Sequence, residues 1–273
     1  APDGSLFVTD WYDPGVGGHR QGDSDRGRLF RVTPPGTKYV VPEYDYTTAE
    51  GAVEALRNPN LAVRSRAWRS LHSMGDQAET ELLKLYSDSN PRLRARALWL
   101  LGKIPGRGKH YVAKALADSD SDIRITAIRL AKQLTDRPSE WLSEAAADES
   151  PAVRRELAVA IRFDNSDSMP SIWAELATSY DGKDRWYLEA LGIGSDVRAE
   201  ECFEAYLAEV KGHWDTAAGR DIVWRVRAPK AAQAMVSLIA DPARPLRETD
   251  RYFRSLEFHD SDVRSAALKR LLP

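Results

Sequence analysis

The stretch DSNPRLRARALWLL, residues 88–101, recurs three more times without a gap: NPNLAVRSRAWRSL at 58–71, DSDSDIRITAIRLA at 118–131 and DESPAVRRELAVAI at 148–161. The copies place an arginine every 30 positions, at Arg64, Arg94, Arg124 and Arg154, with Asn58, Asp88, Asp118 and Asp148 six residues earlier. Val63, Leu93, Ile123 and Val153 precede the arginines directly. Ala67, Ala97, Ala127 and Leu157 follow three residues later, and Leu71, Leu101, Ala131 and Ile161 seven residues later. Offsets of −1, +3 and +7 fall on one side of an α-helix, so each copy is predicted to be an amphipathic helix that buries this face.

A second periodic segment lies upstream of each arginine: AEGAVEALRN, AETELLKLYS, KHYVAKALAD and SEWLSEAAAD. Apolar residues three or four apart, such as Val53/Leu56 and Leu82/Leu85, mark another helix in each unit. Asp or Asn followed by Ser or Pro breaks the chain between the two, and Pro91 and Pro151 stand where a first helical turn tolerates proline. A helix pair this short cannot bury its apolar face alone, so neighbouring units must stack. The predicted fold is mainly α: an α-solenoid of about seven short helix hairpins over residues 43–273, with strong repeats at 48–162 and degenerate ones at 163–273. Arg185, 31 residues after Arg154, and Arg247, with Asp241 six before it, are read as later members of the arginine column, and HDSDVRSAALKRLL as a shortened last unit.

The recurring arginines admit two readings, a basic stripe for an acidic ligand or an internal ladder in which each guanidinium bonds the aspartate of its own or a neighbouring repeat. The co-recurring carboxylate favours the ladder of Asn58, Arg64, Asp88, Arg94, Asp118, Arg124, Asp148 and Arg154, because a buried charge is costly unless paired. Trp68, Trp99, Trp141, Trp173 and Trp186 are expected in the core. With 39 basic and 41 acidic side chains and a net charge of −2, the chain offers no general attraction for a phosphate backbone, so no nucleic-acid partner is expected. The single cysteine, Cys202, permits neither an internal disulfide nor a CxxCH haem attachment. No apolar run approaches the roughly 20 residues that cross a bilayer.

Ahead of the helices, SLFVTDW and GRLFRVTP read as two strands joined by a loop, Tyr12 to Arg26, far longer than a hairpin turn requires. A dinucleotide motif fails there because Arg20 stands where the third glycine belongs. An EF-hand fails for want of the ligand spacing and closing glutamate. What remains is a cluster of Asp10, Asp13, His19, Asp23 and Asp25 among glycines, with Asp10, Asp13 and His19 as candidate site residues and Asp23 and Asp25 as weaker metal candidates. The alternative is a set of turn residues around a solvated histidine.

The repeat resembles the short HEAT repeat, also found in phycobilin lyases, whose mark is an aspartate between helices and an arginine early in the second. The first seventy residues, from DGSLFVTDWYDPGVGGH through RGRLFRVTP to KYVVPEYDYTTAEGAVEALRNPNLAVRSRAW, resemble the large membrane-bound dehydrogenase-like proteins of planctomycetes and verrucomicrobia. In that family a glucose/sorbosone-dehydrogenase-like β-propeller precedes HEAT-like repeats, often with a cytochrome c domain beyond. The resemblance implies that residues 1–42 are a terminal propeller blade and linker, cut from a longer protein. It further implies that Asp10, Asp13 and His19 lie at the mouth of a propeller funnel, that a quinone and haem c belong to the parent, and that the parent is an extracytoplasmic or membrane-associated sugar or polyol dehydrogenase. The solenoid would then be a scaffold for protein partners or neighbouring domains, and this chain alone would not catalyse. A non-catalytic receptor and a phycobilin-lyase-like protein are the alternatives.

Overall fold

The fold is that of a computed structural model describing residues 1–10 and 27–272. Two compact units divide the chain at Pro105/Gly106, between the second and third hairpins rather than at the change from β to α near residue 42. The first unit opens with an antiparallel pair, β1 (Leu6–Asp10) and β2 (Arg28–Val32), in the register Leu6↔Val32, Phe7↔Arg31 and Val8↔Phe30. Two helix hairpins follow, α1 (Ala49–Arg57) with α2 (Leu61–Met74) and α3 (Glu79–Tyr86) with α4 (Pro91–Leu101).

The second unit continues the pattern with α5 (Gly108–Leu116)/α6 (Ser121–Leu134), α7 (Ser139–Leu142, extended by a 3₁₀ turn)/α8 (Pro151–Ala160) and α9 (Met169–Thr178)/α10 (Arg185–Ser195). Then come α11 (Ala199–Glu209)/α12 (Ala217–Arg225), α13 (Pro229–Ala240)/α14 (Leu246–Ser255) and a single helix, α15 (Ser261–Arg270). Among the described residues this makes seven hairpins, the number read from the sequence. The chain is an α-solenoid with a small two-stranded sheet at its start.

Each hairpin closes by one local device used twice. The side chains of Asn58, Asp88, Asp118 and Asp148 accept the backbone N–H two residues on, at 2.8–2.9 Å, turning the chain out of the first helix. Asn60, Asn90 and Asp120 then cap the second helix by accepting its first free N–H groups. The recurring Asx residue is therefore first of all a turn residue. The same turn recurs outside the strong repeats at Asp45, Asp164, Asp181 and Asp241.

The predicted face is the core. Ala67, Ala97, Ala127 and Leu157 have no exposed surface, and Leu71, Leu101, Ala131 and Ile161 are buried with them. Leu93 alone of that set is half-buried. Measured from the capping residue, Arg64, Arg94, Arg124 and Arg154 all fall four positions into the second helix. Arg185 does not: Asp184 caps α10, so Arg185 is its first residue and the buried Leu188 occupies the arginine's place. Arg247 is likewise only the second residue of α14, whereas Arg264 follows the cap Asp260 of α15 by four. The late start of α10 also turns Trp186 outward, 72% exposed, against the expectation that it packs in the core; Trp68, Trp99 and Trp141 are half-buried and Trp173 is wholly buried.

Candidate functional site

Arg124, in the second unit, shows the ladder arrangement in full. Arg124 enters from α6 with a side chain only 8% exposed and clasps Asp148 of the next hairpin with both edges of its guanidinium, Nε to Oδ2 at 2.7 Å and Nη2 to Oδ1 at 2.9 Å. Its remaining amino group donates to the carbonyls of Asp118 and Ser119, which the helix break leaves without helical partners. Burial raises the cost of the Asp148 carboxylate, yet the Arg124 bonds and the Ser150 N–H outweigh it and hold its pKa below the usual carboxylate range. Arg154 repeats half of the arrangement. It donates to the carbonyls of Asp148 and Glu149, but where Arg124 finds a carboxylate it finds the Tyr187 hydroxyl at 3.1 Å.

Around Arg64 the arrangement differs. Asp88 is held by Arg57, the last residue of α1, at 2.7 Å, and Arg64 has a buried Nε with no hydrogen-bond partner among the described residues. Arg96 of the next hairpin donates to the carbonyls of Leu56 and Arg57 at 2.7 and 3.2 Å and reaches, at 3.5 Å, that of Asn58, the counterpart of the Asp118 carbonyl that Arg124 holds. The identity of the residue at the repeat position was legible; the competition for its acceptors was not, because Arg57 and Arg96 lie outside the recurring set.

One buried polar centre escaped the sequence reading altogether. Asp164, 2% exposed in the turn before α9, accepts the N–H of Ser139 at 2.6 Å and the N–H and hydroxyl of Ser166 at 2.8 and 2.6 Å, tying the fourth hairpin to the fifth. Burial pushes its carboxyl up, and these donors more than offset it, leaving the pKa lowered. The signal that could have found it is the D-x-S spacing shared with the repeat turns. Asp164→Asn should keep the turn but set an amide N–H₂ against the donors, costing about 2 kcal/mol in urea unfolding; an unchanged midpoint would refute the role.

His259 is the other buried titratable group. Both ring nitrogens lack partners among the described residues, and burial, reinforced by Arg227 and only partly opposed by Asp260, pushes its pKa from 6.5 down to about 4. The folded state therefore binds its proton less readily than the unfolded chain, so stability is full above pH 6.5 and falls as the pH drops toward 4. At about pH 5 the loss should reach roughly 2 kcal/mol. A stability–pH profile that stays as steep in His259→Phe would assign the effect elsewhere.

Of the loop candidates, Asp13, His19, Asp23 and Asp25 lie outside the described residues. Asp10 ends β1, with its side chain 42% exposed and 4.0 Å from Arg28, an arrangement typical of a surface ion pair. Among the described residues no cluster of His, Cys, Asp and Glu suits a metal ion, and no helix is long and apolar enough to cross a membrane. Cys202 is buried, and burial pushes its thiol up to about 12, so it is an unreactive packing residue.

A family model described as HEAT repeats matches residues 49–117, the first two hairpins and the helix that opens the third. Among solved structures the chain is similar to YibA of E. coli, at 16% identity and a TM-score of 0.45 over 81% of this chain and 90% of that one. It is also similar to the complex of CpcE and CpcF of phycocyanin lyase from Nostoc sp. PCC7120, at 15% identity and a TM-score of 0.38 over 87% and 98% of the two chains. A designed armadillo repeat protein in complex with the peptide (KR)4 aligns at 15% identity and a TM-score of 0.29 over 81% and 98%. No curated protein sequence matches.

Proposed function

We propose that this HEAT-repeat solenoid is a protein-interaction scaffold within an extracytoplasmic, sugar- or polyol-dehydrogenase-like parent, and that its β-hairpin belongs to an all-β domain of that parent. The observation that carries the reading is a hairpin that no other described element covers. Leu6, Val8, Phe30 and Val32 share one face by their register and are 62, 43, 46 and 52% exposed. A two-stranded sheet alone is marginal in water, and an apolar face of this kind calls for further strands or a second layer. The residue-level resemblance of the first seventy residues supplies the identity of the missing layer.

The scaffold reading draws on the stacked hairpins, in which many polar side chains serve turns, caps and ion pairs. The one cysteine is buried and cannot supply the two thioether bonds that hold a haem c. The quinone and the haem c that the resemblance implies are assigned to the parent.

Dye-linked oxidation of aldoses and polyols by the full-length parent tests the proposal. Activity that falls on Asp10→Ala or His19→Ala supports the propeller placement. A parent that turns over no sugar but still binds a protein partner sustains the non-catalytic receptor instead. The phycobilin-lyase-like alternative predicts a shift of the visible band when a free bilin is titrated into the chain, and an unchanged spectrum removes it.

A further inference from the structure

Among the described residues, five arginines of α2 and α4 lack the cross-element ion pairs that several arginines of the second unit make. Arg124, Arg129, Arg155, Arg225 and Arg251 each hold a carboxylate of another element. On the second helices of the first two hairpins, Arg64, Arg66, Arg69, Arg92 and Arg96 form no ion pair among the described residues, and neither helix contains a single Asp or Glu. Arg66, Arg69 and Arg92 are exposed and Arg64 and Arg96 half-buried.

The two helices are adjacent and their charges crowd. Arg96 is pushed below its ordinary pKa first by burial and then by repulsion from Arg64 and Arg92. Uncompensated like charge that stays on a folded surface destabilises it, and an anionic occupant would relieve the strain. Aromatic surface is interleaved with the charge. Trp68 is half-buried and stacks on His72 at 4.7 Å, Trp99 is half-buried on α4, and the Arg66 guanidinium lies 4.2 Å above the Tyr46 ring. Beside Arg66, Val41, Pro42, Tyr44 and Val63 line a groove of 530 Å³, in whose wall Glu43 is the one carboxylate.

We infer that the α2–α4 face is a docking surface for an acidic peptide segment of a partner protein, carboxylates meeting Arg64, Arg69 and Arg92 and apolar side chains meeting Trp68 and the groove beside Arg66. A peptide fits better than nucleic acid because the charge excess is local, five arginines set in a chain of net charge −2, and does not extend along a phosphate backbone's path. The inference rests on the scaffold reading and adds the partner's chemistry to it.

The test is fluorescence anisotropy of the whole chain with a labelled peptide alternating Glu and Phe, its Gln/Phe counterpart, and a labelled oligouridylate. The acidic peptide should bind, weaken with salt, and lose about tenfold in affinity on Arg69→Glu/Arg92→Glu, while the exposed Lys132→Glu on α6 leaves binding unchanged. Should the double variant melt early, Arg64→Gln, which removes an unpartnered cation, gives the same readout. Equal binding of the Gln/Phe peptide, or tighter binding of oligouridylate, overturns the inference. Acidic-peptide binding that survives both variants also overturns the site while leaving the scaffold reading intact.

Discussion

Trp173→Ala should lower the unfolding free energy by about 4 kcal/mol, the cost of emptying a fully enclosed indole site. Trp173 has no exposed surface, and its Nε1–H donates to the Leu191 carbonyl across the fifth hairpin at 2.9 Å. Collapse around the cavity is hindered by the close approach of α10 to α8: a Cβ on Gly194 would stand 2.3 Å from the Ala158 carbonyl oxygen and 3.3 Å from the indole. The backbones are thus already in contact on one side of the ring and cannot close further to fill the space. Trp173→Phe should recover roughly half of the loss, since it restores ring volume without the N–H donor. Thermal melts by circular dichroism would show a drop of about 10 °C for the alanine variant, and a shift of only a degree or two would refute the structural role.

The second large effect is expected at Arg124, and it is sharpest as a contrast with Arg64. Arg124→Ala strips both bonds from a carboxylate that is 10% exposed and leaves the Asp118 and Ser119 carbonyls without donors, at a cost of about 3 kcal/mol. Arg64→Ala, at the equivalent position of the first hairpin, removes a guanidinium whose Nε has no partner and should be close to neutral. Asp148→Asn separates charge from turn: its amide oxygen can still accept the Ser150 N–H, so it should fall between the two. Urea unfolding of the three variants ranks them directly. If Arg64→Ala proves as damaging as Arg124→Ala, the repeat position matters through something other than the ion pair.

The contrast shows which parts of the site were legible. The hairpin repeat and its buried face follow from local rules, since helical periodicity and Asx turns act within a few residues of one another. Arg185 and Arg247 were misplaced because counting from the previous arginine ignores where the helix begins. Counting from the caps Asp184 and Asp260 restores the register, and it moves the last arginine of the series to Arg264. Trp186 was misread for the same reason: a shift of three residues at the helix start rotates it from the core to solvent. Asp164 was missed because its donor Ser139 is 25 residues away and belongs to no repeat position.

By itself, then, the sequence determined a solenoid of about seven helix hairpins, the residues that turn and cap them, the apolar face they bury, and a β-hairpin ahead of them. All of these depend on short-range periodicity and on backbone groups that must be satisfied close by. Only the tertiary structure decided which guanidinium meets which carboxylate: Arg124 with Asp148, Arg57 rather than Arg64 with Asp88, and no described carboxylate for Arg64, Arg66, Arg69, Arg92 or Arg96. Those choices are made between residues 24 to 40 positions apart, where long side chains from several elements compete for the same acceptors. Such competition is settled by packing distance, which a one-dimensional repeat does not encode.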